Sequence, residues 1–101
     1  MDKAQAKQLA SQYIALLVKY NYKVKAAFLF GSYTKNAYDT DSDIDLAIVL
    51  DGTFDEFDEQ VRLMKLRRQI DLRIEPHPFS SHDFNLTNPY AREILATGEA
   101  I

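Results

Sequence analysis

The chain contains no cysteine. That absence removes disulfide frames, thiolate metal sites and thiol nucleophiles, so any metal ligand or nucleophile must be an oxygen or an imidazole, and a reducing cytoplasm is the expected setting. Glycine and proline are scarce, three of each in 101 residues, while hydrophobic residues make up 47% and charged residues 27%. Such a composition excludes disordered and low-complexity chains. Long apolar runs are also missing: Ile14 to Val18 and Ile44 to Leu50 fall far short of the roughly 18 residues of a membrane span, and Asp2-Lys3-Ala4-Gln5 does not open a signal peptide. There is no excess of positive charge either. With a net charge of −3 the chain has no electrostatic footprint for gripping long nucleic acid. The expectation is one domain over residues 1–101, without a membrane or duplex partner.

Periodicity supplies the elements. Leu9, Tyr13, Leu16, Leu17 and Tyr20 form a helical stripe, and Asp2 with Gln5 has the spacing of a capping box. Val24 to Phe30 is mostly apolar on both faces, which predicts a central strand ending at Gly31-Ser32. Asp43 to Leu50 predicts a second strand, and Thr53 with Glu56 predicts the cap of a helix whose stripe is Phe54, Phe57, Val61 and Met64. Ile70 to Glu75 alternates as a third strand, with Pro76 and Pro78 expected to end its pairing. A short helix is expected from about Ser81, then a last helix framed by Asn88, Pro89 and Gly98 with Tyr90, Ile94 and Leu95 buried. The fold class is therefore α/β (α+β), a small mixed sheet of about three strands flanked by helices.

The chemistry concentrates between the first two strands. Asp43 and Asp45 lie two residues apart on one strand face, with Cβ atoms roughly 6.5 to 7 Å apart, close enough for both carboxylates to meet one hard cation such as Mg²⁺. An Asp-x-Asp pair by itself equally fits an exposed strand end. Asp39, Asp41 and Asp43 imitate the start of a calcium loop, but Ile44 and Leu50 stand where that loop needs glycine and a bidentate acid. Gly31-Ser32, ten residues upstream at the end of a buried strand, adds an independent signal: glycine permits close approach of a phosphate, and backbone N–H groups with a serine hydroxyl can hold its oxygens. His77 and His82 lack metal-ligand spacing and are expected at the surface. Tyr33 and Tyr38 could stack on a base or pack as part of a lid.

Gly31-Ser32-Tyr33-Thr34-Lys35-Asn36 through Ser42-Asp43-Ile44-Asp45, with Asp71 and the run Ile74 to Phe79, resembles the minimal nucleotidyltransferases of the DNA polymerase β superfamily over nearly the whole chain. The resemblance implies that Asp43 and Asp45 ligate Mg²⁺, with Mn²⁺ as a substitute, and that Gly31, Ser32, Lys35 and Ser42 hold the triphosphate of ATP. It makes Asp71 the third carboxylate, as metal ligand or proton acceptor, with Glu75 taking that role if the third strand is registered two residues differently. Lys35 and Asn36 stand where the family often has arginine and glycine, so Lys35 would meet phosphate as a point charge rather than bidentately. No segment is left for an acceptor-binding domain. The resemblance therefore points to the antitoxins that pair with a separate helical HEPN-domain ribonuclease toxin and move AMP from ATP to one of its tyrosines. A non-catalytic antitoxin acting by binding alone is the alternative.

Overall fold

The computed structural model describes residues 1–35 and 42–101. Asp2 starts the first helix as its spacing requires: its Oδ1 accepts from the Gln5 N–H at 2.8 Å, and Gln5 Oε1 accepts from the Asp2 N–H at 3.0 Å. Helix α1 spans Lys3–Lys19. Its buried face is Ala6, Ala10, Tyr13 and Leu17 rather than the stripe of larger residues, and Tyr20 is a half-exposed C-cap. Small alanines let the helix approach the sheet closely, which fixes its rotation better than the count of large side chains does.

Strand β1 is Val24–Phe30, as expected. It lies between β2 (Ile44–Leu50) and a two-residue β4 (Glu99–Ala100), antiparallel to both. Strand β3 is Ile74–Ser80, parallel to β2, so the sheet is mixed, with the order β3-β2-β1-β4. Among the described residues four strands stand where about three were expected, because β4 is too short to show a period.

The third strand corrects the sequence reading. Ile70 to Arg73 are not strand, and Leu72 is exposed rather than inward; pairing begins at Ile74 and runs through both prolines. Pro76 and Pro78 pair with Leu46 and Ile48 on the outermost strand, where alternate residues have no outer neighbour to donate to. The Pro76 carbonyl accepts from Gln60 Nε2 at 2.7 Å, so the edge is covered by a side chain instead of a strand.

Helix α2 spans Glu56–Leu66 and is capped by Asp55, not Thr53; Asp55 Oδ1 accepts from the Asp58 N–H at 3.0 Å. It buries Glu59 and Leu63 and leaves Phe57 76% exposed. The Tyr13 hydroxyl donates to the Leu63 carbonyl at 2.7 Å, which ties that side of α2 to α1 and turns the Phe57 side outward. No helix forms over residues 81–88. Helix α3 spans Pro89–Thr97, with Asn88 as N-cap, Pro89 in its first turn and Gly98 as C-cap, as predicted; it buries Ala91 and Ile94 but leaves Tyr90 and Leu95 partly exposed.

These elements make two layers of core. Leu29, Ile44, Leu46, Ile48 and Ile74 pack toward α1 and Leu63 of α2 on one face. The other face carries Phe28, Phe30, Ala47 and Phe79 against Ile94 and Phe84. Among the described residues, no helix is long and apolar enough to cross a membrane.

Candidate active site

Strand β1 breaks at Gly31, whose φ of +77° is left-handed, and the chain continues as a 3-10 turn over Gly31–Tyr33. The Gly31 carbonyl accepts from the N–H groups of Thr34 and Lys35 at 3.2 and 3.3 Å and from Thr34 Oγ1 at 2.9 Å, so the turn is held by its own backbone. Tyr33 is fully buried, which makes it an anchor of the turn rather than a stacking surface. A Cβ on Gly31 would run into Asp45 Oδ2 and lie 3.2 Å from Asp45 Cγ. Glycine is therefore required twice here, by the backbone angle and by the carboxylate packed beneath it.

Register places the rest. Phe30 pairs with Asp45, and Asp45 pairs with Glu75, so one row crosses three strands; the next row on the same face is Phe28, Ala47 and His77. His77 Nε2 lies 3.4 Å from Asp45 Oδ1, and its ring packs 5.3 Å from Phe30. Spacing predicts surface positions for both histidines, yet only His82 is exposed; His77 is part-buried at the carboxylate. The one available signal was its even offset from Glu75 on a strand that the two prolines concealed. Asp43 is exposed immediately before β2, with Ser42 part-buried beside it. Tyr38, Asp39 and Asp41 lie outside the described residues.

The two candidates for third carboxylate are separated. Glu75 faces Asp45 in register, and its Oε1 accepts from the Arg67 guanidinium at 3.2 Å. Asp71 precedes the strand, accepts from Arg73 N and Nε at 2.8 and 2.9 Å and from the other guanidinium nitrogen at 2.8 Å, and lines a groove with Gln5, Gln8 and Gln12 of α1. Those bonds from Arg73 hold its carboxyl below the usual carboxylate range. Among the described residues no three His, Asp or Glu side chains are grouped to hold a metal ion. Mg²⁺ needs fewer: it is ordinarily held by one or two carboxylates, completed by waters and substrate phosphates, and Asp43 with Asp45 beneath the Gly31 turn supplies hard oxygen donors of that kind.

Beside this row a cleft of about 210 Å³ is lined by Phe30, Gly31, Lys35, Tyr90, Glu93 and Ile94. Lys35 Nζ lies 3.6 Å from Glu93 Oε1, both side chains being well exposed, so the pair is a weak one that an anion could displace. Burial, then the negative charges of Asp45 and Glu93, push the Tyr90 hydroxyl above its ordinary pKa.

A left-handed glycine turn pressed against a strand-borne carboxylate, at one end of a small mixed sheet, is the arrangement of a nucleotidyl-transfer domain. Residues 12–101 match the family model for polymerase beta nucleotidyltransferases, and the chain belongs to that family. It is also 49% identical over 41 residues to a Methanocaldococcus jannaschii protein described provisionally as a protein adenylyltransferase; the match covers 41% of this chain and 41% of that relative.

Proposed function

We propose that the protein transfers AMP from ATP, with Mg²⁺, to a tyrosine of a separate helical HEPN-domain ribonuclease, and so acts as its antitoxin. The observation that supports the transfer reading is the contact between Gly31 and Asp45, which sets a left-handed glycine turn directly against a carboxylate. A protein acceptor is supported by the description of the M. jannaschii relative, and a HEPN partner only by the resemblance of the motifs to antitoxins of that pairing.

In this reading Gly31 and Ser32 hold the triphosphate oxygens, and Lys35 leaves Glu93 to meet them as a point charge. Ser42 would add a hydroxyl to them, as the resemblance of the motif implies. Asp43 and Asp45 would hold Mg²⁺, with Glu75 the acid best placed to join them. When bound, the ion supplies charge neutralisation at the phosphates and at departing pyrophosphate. His77 fixes the Asp45 carboxylate from the side away from Gly31. The added phosphate would repel RNA from the ribonuclease site.

Mass spectrometry of the partner after co-expression tests this. A gain of about 329 Da per AMP on a partner tyrosine is expected with the wild type. The Asp43→Asn/Asp45→Asn double variant should give none. A partner that is neutralised yet unmodified by both would identify a binding-only antitoxin.

A further inference from the structure

The transfer site has a tyrosine of its own. Tyr90 stands at the start of α3 with its ring packed edge-on to Phe30 and Phe79, centroids 6.0 and 5.4 Å away, and 6.5 Å from the ring of His77, the residue that touches Asp45. These contacts hold the ring over the Asp45 face of the sheet, yet Tyr90 remains 49% exposed. It lines the same cleft as Gly31 and Lys35. Phenylalanine would make the same ring contacts, and the Tyr90 hydroxyl makes no hydrogen bond among the described residues. The hydroxyl is therefore surplus to packing, on a residue that lines the cleft beside the Gly31 turn.

We propose that Tyr90 is a self-adenylylation site: in the absence of a protein acceptor, its hydroxyl takes AMP from ATP bound in the same molecule. This rests on the adenylyl-transfer reading above. The Tyr90 phenolic oxygen forms a bond to the α-phosphorus, the bond from that phosphorus to the bridging oxygen breaks, and pyrophosphate leaves with the electron pair; the phenolic proton passes to solvent. The product is a phosphodiester bearing one negative charge, attached at the mouth of the cleft beside Asp45 and Glu93. It would block a second ATP by occupancy and by repulsion, so the reaction stops at one AMP per chain.

The test is intact-mass and peptide mapping of the full chain after incubation with ATP and Mg²⁺, with pyrophosphate release followed in parallel. The expected result is a single gain of about 329 Da on the peptide containing Tyr90, lost in Tyr90→Phe and in Asp45→Asn, with both variants melting as folded proteins. Pyrophosphate release without an adduct, an adduct on Tyr20 or Tyr22, or an adduct that survives Tyr90→Phe would overturn the proposal while leaving nucleotidyl transfer standing. No adduct and no pyrophosphate would overturn it as well. The transfer reading would then be decided separately, by the mass of the protein partner.

Discussion

Gly31 and Asp45 are matched to each other: the first has no side chain and a left-handed backbone, and the second fills the space that a side chain would need. Gly31→Ala would impose a strained φ and displace the carboxylate together. The expected cost is about 1 to 3 kcal/mol of stability, read by chemical denaturation, with loss of the thermal shift expected of the wild type on adding ATP and Mg²⁺.

Asp43→Asn and Asp45→Asn should each lower AMP transfer by roughly a thousandfold or more, since a ligand that stabilises phosphoryl charge is worth several kcal/mol. Neither should lose stability, because each removes a negative charge that the proposed Mg²⁺ would compensate. Turnover and melting temperature, measured on the same preparations, check both statements.

Glu75→Gln and Asp71→Asn should separate the two remaining acids. Glu75, in register with Asp45, is expected to affect turnover; Asp71, locked to Arg73 beside α1, is expected to affect stability. Because Arg73 depresses the folded-state pKa of Asp71, its contribution is present above the unfolded value of about 3.9 and lost as pH falls through the folded one. The stability gap between wild type and Asp71→Asn should therefore stay constant from about pH 7 to 5 and close on further acidification. Equal turnover of Glu75→Gln and wild type would exclude Glu75 from the site.

Lys35→Ala should raise KM for ATP several-fold and change kcat little, while Glu93→Gln should lower KM by releasing Lys35 and removing a negative charge from the cleft. Steady-state kinetics at low ionic strength will show the effect most clearly, since salt screens an exposed pair.

Burial raises the hydroxyl pKa of Tyr13 far above the ordinary range, and burial together with Glu59 pushes that of Tyr22 up to about 12. At about pH 11 the folded protein should show fewer than its six tyrosines ionised, by absorbance at 295 nm. These raised values contribute stability below the unfolded pKa of about 10, and that contribution is lost as pH rises above it. Tyr13→Phe should cost about 1 kcal/mol through the lost bond to Leu63.

Local chemistry was read correctly at three places, though not at the cap of α2 or over residues 81–88. The capping box at Asp2, the Asn88-Pro89 start and Gly98 end of α3, and the extent of β1 all match their sequence signals. Burial faces were read less well. The stripe Phe54, Phe57, Val61 and Met64 has helical period, but Glu59 and Leu63 are the buried pair, because a hydrogen bond from another helix sets the rotation of α2. The prolines of β3 misled for a related reason: whether proline breaks a strand depends on whether its outer side has a neighbour.

By itself the sequence displayed the ingredients of the proposed site, a glycine-serine turn and an Asp-x-Asp pair at facing strand ends, since turn residues and strand alternation act over a few bonds. Only the tertiary structure decided which side chains join them. Parallel register between β2 and β3 brings Glu75 and His77 to Asp45 and leaves Asp71 with Arg73. Helix α3 brings Tyr90 across the sheet to the same face. Register and helix docking come from contacts between segments dozens of residues apart, and a slip of one residue would send every side chain of a strand to the other face.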